Sequence, residues 1–408
     1  MNEIRLPFGD GSIDVELPAC SATVAEPRGG EPIDVRTAAE AAIADSDGPA
    51  LSELATASDT VAIVVTDVTR ATPDGELVDL LLSALGSEGI TRDQVTVVVG
   101  LGLHRPMTDA ELESMLGEHA ALAVNHDPAE TIAAGEVDGV EIECNRRVAA
   151  ADLVLATGMV EPHQYAGFSG GGKTVAIGAG GESLIRYTHG PDMLSQSGVR
   201  LGRIDDNPFR QVVDTAGELC GLEFCINATH GPAGILDVAA GEPRNVVRTL
   251  VDSARDALSV EVDGEYDAVI AGVGAPKDAN LYQTTRAATY VALGAKNPLR
   301  EGGRIVIPAE LSEGAGEGTG EQRFHTWLSE AESAESLYNR MRTGYAPGAQ
   351  RAFVVARTLR EHDVYITNSE APDVVDDCLM YARERVEDAV DPGSDVLVVP
   401  DALNTLLV

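Results

Sequence analysis

Short, continuously apolar segments rich in β-branched residues recur along the chain and constrain its fold more than any other feature. They are Thr60–Thr66, Gln94–Gly100, Asp152–Thr157, Asp267–Gly272, Arg304–Pro308, Asp363–Thr367 and Asp395–Val399. Apolar residues that continue without alternating with polar ones are typical of strands buried on both faces, as in parallel sheets. Each segment is therefore predicted to be a strand of a parallel sheet.

Helical patterns lie between these segments. They are Leu77–Leu85, a helix that starts with a capping box between Thr108 and Glu111, and the segments Glu321–Arg342, Ala349–His362 and Val375–Ala389. Alternating strands and helices predict an α/β fold with mainly parallel, doubly wound sheets. The turn-rich stretch Val260–Tyr266 precedes a fresh series of strands and helices. We therefore expect two α/β domains, at residues 1–262 and 263–408, with an active-site cleft between them.

The charge balance is strongly acidic, with 66 Asp+Glu against 29 Lys+Arg and a formal net charge of −37. Such a surface repels phosphate backbones and anionic lipids, which argues against a general nucleic-acid or membrane binder. The longest apolar runs are about six to eight residues, well short of the ~20 that a transmembrane helix needs. The N-terminus has no basic, apolar leader, and the five cysteines form no C-x-x-C pair, so we expect a cytoplasmic protein with reduced thiols.

Lysine is almost absent from the chain. Only Lys173, Lys277 and Lys296 are lysines, which leaves 26 arginines among the 29 basic residues. Abundant carboxylates with little lysine are typical of halophilic proteins, because the Debye length in molar salt is only about 3 Å and self-repulsion is screened. A lysine retained in such a chain is a candidate for chemistry that a guanidinium cannot perform, such as acylation through its amine.

Polar side chains follow four of the predicted strands, at the ends where ligands bind in open α/β sheets. The residues are Asp67, Thr69 and Arg70, then His104 and Arg105, then Glu161, His163, Gln164 and Tyr165, and finally Asn280, Tyr282, Gln283 and Arg286. Two histidines at equivalent strand ends favour acid/base catalysis over structural roles.

The segment Gly167–Thr174 reads G-F-S-G-G-G-K-T and satisfies the phosphate-loop pattern G-x-x-x-x-G-K-[ST]. A phosphate loop follows its strand directly and starts a helix at the Lys-Thr pair. Here the predicted strand ends near Thr157, about ten residues earlier, and three glycines in the eight residues after Lys173 predict a poor helix start. Consecutive backbone N–H groups can still cradle a nucleotide phosphate, and a plain flexible loop is the other interpretation.

Five segments in the same order make the chain similar to a known family. They are T-D-V-T-R (66–70), G-L-H-R-P (102–106), E-P-H-Q-Y-A-G-F-S-G-G-G-K (161–173), T-H-G (188–190) and Y-Q-T-T-R (282–286). With these segments the sequence resembles the nickel-pincer-nucleotide lactate racemases and their 2-hydroxyacid racemase/epimerase relatives, from about residue 8 to about residue 370. The resemblance implies an isomerase that acts on a small-molecule 2-hydroxyacid.

The cofactor is implied by the resemblance alone. In this family the lysine that closes the glycine loop holds a pyridinium mononucleotide covalently through a thioamide, which implies that role for Lys173, next to Gly170, Gly171 and Gly172. His189 of the T-H-G segment would donate the one protein nitrogen to nickel. Two sulfurs and a ring carbon of the cofactor would complete a planar site, which suits Ni(II). Cofactor-biosynthesis proteins for the nickel-pincer nucleotide are the implied partners.

The resemblance also assigns the chemistry. His104 and His163 would be the acid/base pair: one deprotonates the hydroxyl while the α-hydrogen leaves as hydride, and the other reprotonates the oxygen after hydride returns to the opposite face. Racemisation needs a base on each side, and imidazoles titrate near neutral pH.

Five further residues would bind or orient substrate and cofactor: Asp67, Arg70, Tyr282, Gln283 and Arg286. Arg286 stands where the family pattern has a lysine, so it keeps the charge and can pair bidentately with a carboxylate. The lactate enzymes also carry a tryptophan near the position of Ala346–Gln350, and the only tryptophan here is Trp327, so the substrate can differ from lactate.

Two other classes of protein stay open. A P-loop-like, nucleotide-dependent enzyme would need a free Lys173. A non-catalytic ligand-binding homologue would keep the cleft and lose the base pair, and the presence of both His104 and His163 argues against it.

Overall fold

A computed structural model describes residues 4–17 and 19–408, which fold into two compact units. The first unit comprises Gly29–Thr188 and Arg203–Ala257. The second unit comprises the described residues of Met1–Arg28 together with His189–Gly202 and Leu258–Val408. The sequence-based boundary at residue 262 stays a prediction.

The strands of the described residues follow in chain order: β1 (Ile4–Phe8), β2 (Gly11–Val15), β3 (Ser21–Val24), β4 (Val61–Val65), β5 (Val95–Val99), β6 (Ala123–Asn125), β7 (Thr131–Val137), β8 (Val140–Asn145), β9 (Leu153–Met159), β10 (Pro162–His163), β11 (Gly167–Phe168), β12 (Leu222–Gly231), β13 (Gly234–Gly241), β14 (Ser259–Val260), β15 (Tyr266–Ala271), β16 (Leu299–Pro308), β17 (Asp363–Thr367), β18 (Tyr381–Arg383), β19 (Asp395–Val399) and β20 (Leu406–Leu407).

The helices are α1 (Val35–Ala44), α2 (Leu51–Leu54), α3 (Asp74–Ser87), α4 (Asp109–Leu116), α5 (Arg146–Ala149), α6 (Gly172–Gly178), α7 (Glu182–Thr188), α8 (Pro191–Leu194), α9 (Pro208–Leu219), α10 (Pro243–Leu258), α11 (Leu281–Ala292), α12 (Thr319–Ser329), α13 (Ala334–Met341), α14 (Gln350–Leu359) and α15 (Pro372–Asp376).

The first unit is built on a sheet with the strand order β13-β12-β9-β4-β5-β6. Neighbouring strands are parallel except β13, which pairs antiparallel to β12. Every residue of β4 and β9 is buried, because helices cover both faces of a doubly wound sheet. Helix α3 buries Leu77, Leu81 and Leu85, spaced four residues apart on one face, in this core.

The second unit contains a wholly parallel sheet with the order β18-β17-β16-β15-β19-β3. Strand β3, from the start of the chain, pairs with β19 and forms one edge. The predicted α/β class with mainly parallel sheets is confirmed. The seven apolar segments of the sequence all contain strands, at β4, β5, β9, β15, β16, β17 and β19.

Three local predictions are wrong. A helix at Val375–Ala389 is replaced by α15 and the edge strand β18, since Leu379 has a φ of +60° and β18 pairs with β17. The helix expected at Glu321–Arg342 is interrupted between α12 and α13, where the side chain of Ser333 accepts a hydrogen bond from the amide of Ser336 and caps α13. Helix α6 begins at Gly172, although the following glycines predicted a poor helix start.

The five cysteines are free thiols, and all but Cys20 are buried. Across residues 4–17 and 19–408 the structure contains no helix with the length and apolar character that membrane crossing requires.

Candidate active site

Three adjacent parallel strands bring most of the sequence-predicted residues of the first unit to one edge of its sheet. Strand β4 lies between β5 and β9, and all three run in the same direction. Asp67 follows β4, His104 follows β5, and Glu161 follows β9. Because the carboxyl ends of parallel strands share an edge, these side chains are neighbours.

Asp67 and His104 form a close pair of titratable side chains at this edge. Nδ1 of His104 lies 2.6 Å from Oδ2 of Asp67, and the amide and hydroxyl of Thr69 donate to Oδ1 at 2.9 and 2.5 Å. Burial alone would raise the pKa of Asp67, but the hydrogen bonds from His104 and Thr69 outweigh it and lower that pKa to about 2. The ionised carboxylate accepts a hydrogen bond from Nδ1–H of His104. In the neutral ring the lone pair is then on Nε2.

Two glycines hold the loop that carries His104 against helix α6. The amide of Gly102, at a φ of +55°, donates to the carbonyl of Gly178 at 2.8 Å. A Cβ on Gly100 would lie 3.2 Å from the Cα of Gly178. This close backbone contact fixes His104 relative to the helix that contains Lys173.

Asp74 lies beneath the Asp67 turn and was not singled out from the sequence. It is 1% exposed, and it accepts hydrogen bonds from the hydroxyls of Thr66, at 2.6 Å, and Thr157. Burial raises the pKa of Asp74 to about 7, against the lowering effect of these hydroxyls. The carboxyl group therefore links the ends of β4 and β9 to the first turn of α3.

Arg70 forms an ion pair with Glu161, and both side chains are partly buried. Oε2 of Glu161 lies 3.5 Å from Nε2 of His230, a histidine that was not predicted to belong to the site. The amide of Glu161 is held by the hydroxyl of Ser169 at 3.1 Å. The guanidinium of Arg70 is thus held in place by the carboxylate of Glu161.

His163 lies on the short hairpin of β10 and β11. The backbone amides of Tyr165 and Ala166 donate to its Nδ1 at 3.3 and 3.1 Å. With Nδ1 as acceptor, a neutral ring carries its proton on Nε2. His104 and His163 therefore present opposite Nε2 states, an acceptor on His104 and a donor on His163.

The glycine run before Lys173 is needed for close packing. Gly170 and Gly171 have φ values of +82° and +57°. A Cβ on Gly170 would lie 2.7 Å from Oδ1 of Asn227, and one on Gly172 would lie 2.8 Å from the carbonyl oxygen of Val213. Strand β9 ends at Met159, well before the loop, which differs from the strand-to-loop connection of a phosphate loop.

Lys173 occupies the first turn of α6 and is partly buried. Loss of hydration lowers its pKa to about 7, and the like charges of Arg70 and Arg210 lower it further. The amine is consequently neutral in a large fraction of molecules at neutral pH, the state in which an amine is nucleophilic.

Arg210 is a buried residue of α9 that sequence reasoning missed. Its Nη1 donates to the carbonyls of Phe168 and Gly170 at 3.3 and 3.2 Å, and its Nη2 pairs with Asp214. The arginine therefore fixes the glycine loop from below. The spacing of four residues between Arg210 and Asp214 was the only sequence signal, and it is the usual spacing of surface ion pairs.

The other predicted residues lie in the second unit. His189 directly follows α7, and the hydroxyl of Tyr345 donates to its carbonyl oxygen at 2.6 Å. Tyr282, Gln283 and Arg286 lie on the first turns of α11, which Asn280 caps. Nη2 of Arg286 donates to the hydroxyl of Tyr290 at 3.0 Å. Within the described part of the chain, no group of three or more His, Cys, Asp or Glu side chains could hold a metal ion.

Comparisons with known proteins cover nearly the whole chain. The family model for the lactate racemase N-terminal domain matches residues 8–202, and the model for the lactate racemase C-terminal domain matches residues 263–406. Lactate racemase from Thermoanaerobacterium thermosaccharolyticum is 26% identical over 377 residues, covering 88% of this chain and 86% of the relative. Lactate racemase from Lactiplantibacillus plantarum is 27% identical over 377 residues, covering 88% and 87%.

Two solved structures share the fold. The lactate racemase apoprotein from Thermoanaerobacterium thermosaccharolyticum superposes with a TM-score of 0.87 at 23% identity, over 100% of both chains. A protein from Thermotoga maritima superposes with a TM-score of 0.68 at 17% identity, over 93% of this chain and 99% of that one.

Proposed function

The chain belongs to the lactate racemase family and is an isomerase, and on this premise we propose that it interconverts the enantiomers of a lactate-type 2-hydroxyacid. The observation that carries the proposal is the pair of imidazoles in the first unit, His104 oriented by Asp67 and His163 held by backbone amides. Lys173 belongs to the same set, because the charges of Asp67 and Arg70 act on its pKa.

In this proposal His104 takes the proton of the substrate hydroxyl. Its Nε2 carries a lone pair because Asp67 accepts the hydrogen on Nδ1. The carboxylate also stabilises the imidazolium that forms, as a buried aspartate does in other acid/base pairs. Removing this proton allows the carbonyl of a 2-oxoacid to form.

His163 would act on the same oxygen from the other side. Its Nε2–H donates a hydrogen bond in the tautomer that the amides of Tyr165 and Ala166 favour. For the opposite enantiomer His163 must present a lone pair at Nε2, which requires the Nδ1-protonated tautomer and the loss of both amide hydrogen bonds. The two histidines are therefore expected to make unequal contributions.

Lys173 and the glycines before it, which belong to the first unit, fit attachment of the nickel-pincer nucleotide. Lys173 offers an amine whose pKa is about 7, and the three glycines directly before it have no side chains. Lys173 would hold the group covalently, Gly170, Gly171 and Gly172 would lie along it, and His189 would supply the protein ligand to nickel. When bound, the group would supply a reversible acceptor for the α-hydrogen as hydride, which is the chemistry that inversion of that carbon requires.

The remaining predicted residues are proposed to bind the substrate and orient the group. Arg70 and Arg286 would hold the substrate carboxylate. Gln283 would form a hydrogen bond to the substrate or the cofactor, and Tyr282 would pack against the cofactor. Arg70 now pairs with Glu161, so the substrate carboxylate would have to compete with that side chain. Cofactor-biosynthesis proteins are the proposed partners of the chain.

The test uses protein purified from a host that makes the cofactor. We expect about one nickel per chain, an intact mass that exceeds the sequence mass by a pyridine-nucleotide adduct, and racemisation of a 2-hydroxyacid followed by chiral chromatography. Lys173→Arg should lose the adduct and the activity, and Lys277→Arg is the matched control. A nickel-loaded protein that racemises no 2-hydroxyacid would refute the proposed reaction.

A further inference from the structure

Arg351 in the second unit is a buried cation without a counter-charge. The residue is 4% exposed and lies in the first turn of α14. Its Nε and Nη1 atoms are buried without a hydrogen-bond partner, and no ion pair of its guanidinium is found among the residues that the structure describes. An arginine stays protonated in proteins, so this burial costs free energy unless an anion compensates it.

The position of Arg351 on its helix makes that cost larger. Cations are unfavourable near a helix N-terminus, where the unpaired N–H groups carry partial positive charge. The ring of Tyr282, whose centroid is 5.2 Å from the Arg351 guanidinium carbon, offsets only part of the charge. An arginine at this place is therefore more easily explained by a ligand than by stability.

Two further helices start next to Arg351. Helices α11, α12 and α14 pack against one another. A Cβ placed on Gly320, in the first turn of α12, would lie 3.3 Å from the carbonyl oxygen of Gly348 before α14 and 3.9 Å from the hydroxyl of Tyr282 on α11. The three N-termini thus lie together, and their dipoles favour an anion. At α12 part of that role is already filled by Glu321, whose carboxylate accepts a hydrogen bond from the amide of Gly318 at 2.6 Å.

A buried acceptor lies on the same turn of α11 as Tyr282. Oε1 of Gln283, one residue after Tyr282, is buried without a partner. An amide oxygen accepts from hydroxyl or N–H groups, so it suits a ligand that carries a hydroxyl group in addition to its acidic groups. A 2-hydroxyacid offers such a hydroxyl group to Gln283.

We propose that Arg351, with Tyr282 and the N-termini of α11, α12 and α14, binds a second acidic group of the substrate. The preferred substrates are then dianionic 2-hydroxyacids, which carry a carboxylate or phosphate beyond the carboxylate next to the reacting carbon. This inference rests on the proposed function, in which Arg70 and Arg286 already serve the first carboxylate. Arg351 is a cation in excess of what a monocarboxylate needs.

The kinetic test compares malate, 2-hydroxyglutarate and 3-phosphoglycerate with lactate and 2-hydroxybutyrate on the nickel-loaded enzyme. We expect kcat/KM for one of the dianions to exceed that for lactate by at least about tenfold, since charge-assisted hydrogen bonds contribute strongly. The dicarboxylates and the phosphate ester distinguish the two kinds of second group. Equal or lower kcat/KM for every dianion would overturn the inference while leaving the proposed function intact.

Variants locate the effect at Arg351. Arg351→Gln should lower kcat/KM for the preferred dianion by about 10–100-fold, and Arg351→Lys should restore part of it, whereas lactate turnover should change less than about threefold. Arg360→Gln, which removes an exposed arginine at the end of the same helix, should change neither. A loss that is equal for lactate and the dianion would contradict selective binding by Arg351.

A binding measurement avoids dependence on the loaded enzyme. Succinate, phosphate and the monoanion butyrate are titrated at constant ionic strength into wild-type protein and the Arg351 variants, with calorimetry and thermal unfolding as readouts. We expect succinate or phosphate, and not butyrate, to raise the melting temperature of wild type only. If no 2-hydroxyacid is racemised, the proposed function fails, and this assay still tests the anion site. The site would be refuted if neither succinate nor phosphate changed the melting temperature of the wild-type protein or released heat of binding.

Discussion

Nδ1 of His104 and Oδ2 of Asp67 lie 2.6 Å apart at the ends of two neighbouring parallel strands. Asp67 is 5% exposed, whereas the side chain of His104 is 60% exposed, so the carboxylate is the fixed member and the imidazole the accessible one. This arrangement sets the tautomer of His104 and directs its basic nitrogen away from the buried carboxylate.

Asp67→Asn tests that relationship. The amide keeps the shape but can donate to Nδ1, which favours the wrong tautomer, so we expect kcat to fall about 10²–10⁴-fold with a smaller change in KM. Racemisation is measured by chiral chromatography, and circular dichroism checks the fold. Asp93→Asn, which removes a surface carboxylate, serves as the control. Wild-type kcat in Asp67→Asn would show that the carboxylate does not set the tautomer.

His163 should also be necessary for racemisation, and less so for binding of the substrate. His163→Ala is expected to lower racemisation by about 10²–10⁴-fold, the range of acid/base groups. His163→Gln retains a donor in place of Nε2–H and should preserve KM more closely than alanine does. His325→Ala is the control. The role of His163 is disproved if the alanine variant racemises its substrate at the wild-type rate.

Lys173 should react with amine reagents at a lower pH than an ordinary lysine. Its pKa is about 7, so in protein without cofactor the rate of competitive acylation should rise through pH 7 and level off above it. Peptide mass spectrometry follows Lys173, with Lys277 and Lys296 in the same digest as references. A rate for Lys173 that still rises steeply between pH 9 and pH 10 would contradict the lowered pKa.

The same lowered pKa affects stability. The folded state binds fewer protons at Lys173 than the unfolded state does, whose lysine has a pKa of about 10.4. The contribution of Lys173 to the free energy of unfolding should therefore increase as pH rises from about 7 to about 10. Lys173→Met should remove that part of the slope, and urea unfolding at several pH values measures it.

Asp74 should affect the pH dependence of the unfolding free energy in the opposite direction. Its pKa is raised to about 7, above the ~3.9 of an unfolded aspartate, so its contribution is fully present below about pH 4 and is lost as pH rises through 7. Asp74→Asn should flatten the decline of unfolding free energy between pH 4 and pH 7, at the cost of one hydrogen bond to Thr66 or Thr157. An unchanged decline in the variant would show that another group causes it.

The sequence allowed the sheet and its functional edge to be predicted for a simple reason. Segments such as Thr60–Thr66 are apolar on both faces, and only buried parallel strands need that pattern. Once β4, β5 and β9 were placed, the strand-end rule selected Asp67, His104 and Glu161. Their proximity follows from topology and needs no side-chain detail.

The residues that sequence reasoning missed depend on tertiary partners. Arg210 resembles a surface arginine until α9 buries it under the glycine loop. Arg351 lies at the start of an apolar helical pattern, and that pattern does not predict that Gly320 and Tyr282, on other helices, are close to it. The helix expected near Val375 failed for the same reason, because pairing of β18 with β17 outweighed a helical periodicity.

The acidic surface gives the last prediction, that folding requires salt. A net charge of −37 with only 29 basic residues leaves many carboxylates without a counter-charge. At 0.01 M salt the Debye length is about 30 Å, so these carboxylates repel one another across a whole unit, and at 1 M it falls to about 3 Å. We expect the far-ultraviolet circular dichroism signal and the activity to be lost on dilution from molar KCl to 10 mM. Sucrose at matched osmolality is the control, since it should not replace a screening electrolyte. A protein that stays folded and active at 10 mM salt would show that the acidic surface is tolerated without screening, and the halophilic interpretation of its composition would then be wrong.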